Sequence, residues 1–299
     1  MYTISEKYIN DQEESIQIEN KMYNSIVKIS PKMGGAIQHL VLNGKTLIHQ
    51  RQSSNSHQDY FSSVLFPFVN RIENGVFSFD GKQYNLPINE MDKGHALHGF
   101  VYNKPFVVTD SDCDKDSAYI NLRFSEKTSP KGLPFDFIIE LQYTITQFEL
   151  SLKVKVENIG SQSFPFGLGW HPYFHTTSKE NRSIQMNSDQ KLTFTNGMIP
   201  SSFDPIETSQ IPINKHFDDC FHLKNGSVSF TNNNYGIKLT STAETNYLQI
   251  YTPPENTSVA IEMMTSPPNS FNNNKGILVL APQDCYELEW GIRLIPKTP

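Results

Sequence analysis

The chain is short of the residues that build covalent, cationic or helical scaffolds. Its 299 residues include three cysteines, Cys113, Cys220 and Cys285, far apart and without a C-x-x-C spacing. Neither a disulfide framework nor a zinc ribbon is indicated, and the thiols are expected to stay reduced. Lys and Arg number 25 against 31 Asp and Glu, a formal net charge of −6. Nucleic-acid binding through a diffuse basic surface is therefore not expected, because neutralising phosphates takes clustered cations. No run approaches the roughly 18 apolar residues of a spanning helix. The opening Met1-Tyr2-Thr3-Ile4-Ser5-Glu6-Lys7 has no basic segment followed by an apolar stretch, so no membrane partner is expected and cytoplasm is the expected compartment. No amphipathic pattern long enough for a substantial helix competes with the strand patterns, and neither a linker-like composition break nor an internal repeat is visible.

What the sequence does contain is alternation. Gly and Pro number 16 and 18, and between them apolar residues recur at every second position. Phe137-Ile139-Leu141-Tyr143-Ile145 and Leu150-Leu152-Val154-Val156 read as an antiparallel pair joined around Thr146-Gln147. Asp80-Gly81 between Val76–Phe79 and Lys82–Leu86, and Asn43-Gly44 between Leu40–Leu42 and Thr46–Ile48, suit type I′ hairpin turns. Further strands are expected at Val228–Phe230, Gly236–Leu239, Tyr247–Tyr251, Val259–Glu262, Ile277–Leu280 and Tyr286–Ile292. The polar or Pro-containing stretches Ser53–His57, Asn196–Pro212 and Ser266–Asn274 read as loops, some long enough to form functional rims. One large antiparallel β domain over residues 1–299 is the economical reading.

Several residues stand out chemically. Glu262 lies inside the apolar strand Val259-Ala260-Ile261-Glu262-Met263-Met264, where a carboxylate is unfavourable unless it faces a cleft or a partner. Glu287 and Glu289 alternate with Tyr286, Leu288 and Trp290, as solvent-facing positions do. His171 sits in Trp170-His171-Pro172-Tyr173-Phe174, an aromatic setting suited to the apolar face of a sugar, although a packed core histidine is the commoner fate of such a residue. His98 lies in Leu97-His98-Gly99-Phe100, and Gly99 would let the backbone pass close to a ligand. Arg71 lies in Asn70-Arg71-Ile72, and Asp218 in Phe217-Asp218-Asp219-Cys220-Phe221; an ion pair would be their purely structural role. The pairs His95/His98 and His171/His175 are closely spaced. On a strand, however, positions three apart face opposite ways and positions four apart are about 13 Å distant, which disfavours a shared metal.

Taken together, the order Arg71, His98, His171, Asp218, Glu262 in these segments resembles that of the aldose 1-epimerase family, the galactose mutarotases. The resemblance implies the large β-sandwich of the galactose mutarotase-like fold and a reaction without metal or cofactor. In that reaction a base removes the C1 hydroxyl proton of an aldose and an acid protonates the ring oxygen. The ring opens, the C1–C2 bond rotates, and reclosure gives the other anomer. Carried over residue by residue, Glu262 becomes the base and His171 the acid, on opposite sides of the sugar ring. His98 would bind near the ring oxygen, Arg71 would present a forked donor to adjacent hydroxyls, and Asp218, preferred over Asp219 by the motif, would accept from hydroxyls on the far side. Gln249, with Tyr251, could add polar contacts.

The implied partner is a monosaccharide, glucose or galactose. A hexose-6-phosphate 1-epimerase would need further cations, and beyond Arg71 the arginines are Arg51, Arg123, Arg182 and Arg293, with only Arg51 and Arg182 near a motif. A non-catalytic carbohydrate-binding β-sandwich would have no use for both Glu262 and His171.

Overall fold

A computed structural model describes residues 1–10, 13–49, 60–127 and 132–295. Among these, nineteen strands join edge to edge in one antiparallel ladder and six more form three two-stranded pairs. The longest α-helical element among them is the single turn Ser270–Asn273. The expected loop Ser53–His57, and Arg51 with it, lies outside the described residues.

The alternating segments become strands for the reason their pattern suggests. Phe137–Thr146 and Glu149–Asn158 pair antiparallel with Ile145 opposite Leu150, and along both strands inward side chains such as Leu141, Tyr143, Leu152 and Val154 are fully buried. Val76–Phe79 and Lys82–Asn85 close through Asp80 (φ 49°) and Gly81 (φ 71°). Ala36–Leu42 and Lys45–His49 close through Asn43 (φ 46°) and Gly44 (φ 75°). Consecutive left-handed residues are what a type I′ turn requires, and Asn, Asp and Gly tolerate them best.

The ladder folds back so that its inner faces share one apolar core, which includes Leu141, Val154, Leu40, Phe174 and Ile261. One bond across it is polar: the buried Tyr143 hydroxyl donates to the Gly35 carbonyl at 2.8 Å. Trp170 packs against Trp290 with ring centroids 6.3 Å apart, and its indole N–H donates to the Ser62 carbonyl at 3.3 Å.

Two expectations about loops are corrected. Most of Asn196–Pro212 is strand: Pro200–Pro212 pairs with Ser183–Phe194, with several register irregularities. Among the described residues it pairs with that one strand alone, and its residues 201–207 are exposed or half-buried. Its partly buried Phe203, Ile206 and Ile211 pack against the core without a period-two spacing, so no alternation betrays the strand, and an edge position can hold prolines that an inner strand could not. Its partner Ser183–Phe194 was equally concealed, because the inward series Ile184, Met186 ends in a buried serine, Ser188. The segment Ser266–Asn274 is a largely buried connector rather than an open rim, with Ser266, Asn269, Ser270 and Phe271 all in the interior.

Replacing Tyr143 by Phe keeps the ring and strips the buried Gly35 carbonyl of its donor. Urea denaturation should show a loss of about 1–2 kcal/mol with an unchanged slope. A variant as stable as the parent would mean that this bond adds nothing across the core.

Candidate active site

Three adjacent strands, Asp218–Thr231, Asn246–Tyr251 and Ser258–Met264, set Cys220, Gln249 and Glu262 directly opposite one another. Opposed residues in antiparallel strands share a face, so these three side chains form a row. On the far side of Ser258–Met264, the short strands Gly169–Trp170 and Tyr173–His175 continue the pairing through Trp170 opposite Met263 and Tyr173 opposite Ala260. His171 and Pro172 interrupt it. Pro172 has no N–H to give the ladder, yet its carbonyl still accepts from Ile261 N–H at 3.2 Å. The interruption delivers His171 against Glu262, with Nε2 to Oε1 at 3.1 Å. Both are buried, and Nδ1 of His171, Oε2 of Glu262 and Oε1 of Gln249 have no protein partner among the described residues.

The surrounding groups are held tightly. His171 donates its N–H to the Ser63 carbonyl and accepts from Ser62 N–H, each at 3.0 Å. Its ring stacks on Tyr173 (4.9 Å, 12°) and meets His98 edge-on (5.3 Å, 74°). Asn70 N–H donates to Nδ1 of His98 at 3.3 Å, which assigns the ring proton to Nε2 and makes that atom a donor. Tyr60 packs on the other side of His98 at 4.6 Å. His98 (φ 62°) and Gly99 (φ 72°) are both left-handed. The need for glycine at position 99 comes from the protein backbone and not from a ligand: a Cβ there would stand 2.1 Å from the Phe66 carbonyl oxygen.

Arg71 enters beside His98 because Arg71–Ile72 pairs with Ala96–Leu97. Its fork is largely taken: Nε and Nη2 donate to the two oxygens of Glu90 at 2.7 Å each, and Nη1 reaches Asn70 Oδ1 at 3.4 Å. A hydroxyl could meet only the Nη1 side, so the forked contact expected from the sequence is made to Glu90 instead. Glu90 also accepts from Lys93 at 3.1 Å. The connector Ser266–Asn274 fixes this wall, since Asn269 N–H donates to the Arg71 carbonyl at 2.6 Å and Asn269 Oδ1 accepts from Glu73 N–H at 3.1 Å. Asp218 accepts from Gln249 Nε2 at 2.6 Å, whereas Asp219 turns away to Lys191 at 3.0 Å.

The sequence profile of the aldose 1-epimerase family matches residues 14–293. The chain belongs to the aldose 1-epimerase family. It is 23% identical over 262 residues to the uncharacterized protein YihR of Escherichia coli, covering 83% of each chain. It is 26% identical over 196 residues to human galactose mutarotase, covering 60% of this chain and 53% of that one; the match thus spans about half of the mutarotase. Among solved structures it resembles a galactose mutarotase-like protein from Clostridium acetobutylicum (TM-score 0.87, 21% identity, 98% of both chains). It also resembles the galactose 1-epimerase of Lactobacillus acidophilus (TM-score 0.82, 15% identity, 99% of this chain and 98% of that one). At these identities the structural likeness establishes the fold alone.

All five side chains that carried the family resemblance, together with Gln249, are linked by direct contacts or mutual electrostatic effects. Arg71's charge is felt by both Asp218 and Glu262. Glu90 and Tyr60 were missed by sequence reasoning. Glu90 lies in the polar turn Asn89-Glu90-Met91-Asp92-Lys93, where nothing marks it as an arginine partner. Tyr60 had only a weak signal, an aromatic pair with Phe61 ahead of the Asn-Arg segment. His95, weighed as a metal ligand, accepts from Asn74 N–H at Nδ1 (3.1 Å) and contacts the Gly197 carbonyl through Nε2 (3.0 Å). Among the described residues no three His, Cys, Asp or Glu side chains are grouped to hold a metal ion.

The expected acid and base are in contact, not on opposite sides of a gap. Burial lowers the His171 imidazole to about 3. Burial also pushes the Glu262 carboxyl well above the usual range, reinforced by Asp218 and opposed by Arg71. Both shifts favour a neutral imidazole beside a protonated carboxyl. That pair and the imidazolium–carboxylate pair hold the same single proton, so one transfer across the contact interconverts them.

A buried imidazole with a depressed pKa destabilises the fold in acid. Below the unfolded value near 6.5, the unfolded chain takes up a proton that the folded site refuses, so stability falls as pH drops through the window from about 6.5 to 3. His98 is shifted the same way, by burial first and then by His171 and Arg71. His171→Gln should therefore lose less stability than the parent between pH 7 and pH 5, by about 1–2 kcal/mol, in paired denaturation curves. Parallel losses in the two proteins would contradict a neutral buried His171.

Proposed function

We propose that the protein is a cytoplasmic mutarotase that interconverts the α and β anomers of a free hexose, glucose or galactose, without metal or cofactor. The observation that carries this reading is the buried His171–Glu262 contact at 3.1 Å, flanked by polar atoms without protein partners. The C1 hydroxyl and the ring oxygen of a pyranose are bonded to the same carbon, so an acid and a base side by side reach both. In the reaction the proton of Glu262 first passes to Nε2 of His171; the Glu262 carboxylate then accepts the C1 hydroxyl proton, and Nε2, exchanging Glu262 for the sugar, donates to the ring oxygen. Protonation roles then reverse on ring closure. His98 donates from Nε2, Arg71 from Nη1, and Asp218 and Gln249 meet the remaining hydroxyls. The aromatic set Tyr60, His98, His171 and Tyr173 screens the site from bulk water.

The charges beside the site support a neutral ligand over a phosphorylated one. Arg71 is matched by Glu90, Lys93 by Glu90 and Asp92, and Lys191 by Asp219, while the His171–Glu262 pair carries no net charge in either form. Arg182 donates to the Ile213 carbonyl (3.2 Å) and Asn256 (2.7 Å), with Nη2 left without a partner among the described residues. A dianion would find Arg71, Lys93 and Lys191 already paired with carboxylates and little able to offset its desolvation.

Polarimetry on freshly dissolved α-glucose, α-galactose and glucose 6-phosphate tests the reading. The free sugars should mutarotate with the higher kcat/KM and little dependence on salt. Preference for the phosphate ester, lost as salt is raised, would transfer the function to a hexose-6-phosphate 1-epimerase. Sugar binding with no rate enhancement would leave a carbohydrate-binding module.

Glu262→Gln keeps the shape of the side chain and removes the base. It should lower kcat by about 10² to 10⁴ while sugar affinity is largely retained. Near-normal turnover would remove Glu262 from the chemistry.

A further inference from the structure

We propose that His39 and His49 form a surface binding site for a divalent transition metal ion of the class that prefers imidazole, such as Zn²⁺ or Ni²⁺. The two residues are direct cross-strand partners in the hairpin Ala36–Leu42/Lys45–His49, so their side chains leave the same face. Their Nδ1 atoms stand 3.3 Å apart, with ring centroids at 5.3 Å and planes at 77°. Two nitrogens that each lie about 2.05 Å from one ion at the tetrahedral angle are themselves about 3.3 Å apart. A small rotation of each ring turns a contact between two nitrogens into two ligand directions that meet at one point.

The setting fits an entering ion. A cavity of about 630 Å³ opens on the pair and is lined also by His175, Thr177 and Asn234; none of the candidate active-site residues lines it. The His175 ring lies 6.1 Å from that of His49. No third described His, Cys, Asp or Glu side chain is grouped with them, so the described residues supply two ligands. Lys28 and Lys45 are the nearby cations, and they limit the affinity without occupying the nitrogens. A bound ion would fasten the two arms of the hairpin, whose second strand hydrogen-bonds Tyr173–His175.

The test is calorimetric titration of the untagged, metal-free protein with Zn²⁺ and Ni²⁺, alongside thermal unfolding with and without the ion. The expected result is one ion per chain and a raised Tm, since a ligand held by the folded state alone stabilises it. Both effects should vanish in His49→Gln, whose side chain is exposed and tolerates replacement, and in His39→Gln. They should persist in His222→Gln, which removes the competing imidazole–carboxylate pair His222–Asp189 (2.6 Å). Absence of binding in the parent would overturn the proposal, and so would undiminished binding in His49→Gln or a loss confined to His222→Gln.

Discussion

The site depends on one costly contact, an imidazole and a carboxyl pressed together where neither can be hydrated. Removing two ionisable groups from water is unfavourable, and a single mutual contact recovers only part of the loss. His171 and Glu262 each keep a polar atom without a partner among the described residues, so their contact does not repair the deficit by itself. The same arrangement sets the energy gap between the neutral and ionic forms of the pair, because Asp218 and Arg71 act on Glu262 with opposite sign.

Rigidity around that contact comes from backbone, not from side chains alone. His171 is fixed at both its N–H and its carbonyl by Ser63 and Ser62, and Arg71 is fixed by Asn269 at its carbonyl and by Glu90 at its guanidinium. A guanidinium held at two nitrogens in a fork has little freedom left. Glu90 thereby orients Arg71, fixing one edge of the fork while Nη1 stays on the other.

Much of this was legible in the sequence, and the rest was hidden for identifiable reasons. Asp80-Gly81 and Asn43-Gly44 announce their hairpins because few other residues accept two left-handed positions in succession. Glu262 stands out because a carboxylate inside an apolar strand demands an explanation. The contact between His171 and Glu262 is a different matter, since it arises from a break in strand pairing at Pro172 that no local pattern shows. Glu90 is an acid in a polar turn until the fold brings Arg71 to it. Asn196–Pro212 read as a loop because strand patterns rest on alternation, and the partly buried residues of this edge strand follow none.

That edge strand bears on how the molecule behaves in a crowded solution. A sheet that ends in an open row of N–H and carbonyl groups invites another chain to add itself and continue the ladder. Pro200–Pro212 presents Pro200, Pro205 and Pro212 along its length, and its pairing with Ser183–Phe194 shifts register repeatedly. Each proline deletes a donor and each irregularity twists the edge out of line with any flat partner. A ladder of nineteen strands thus terminates, on this side, in a segment poorly suited to templating aggregation.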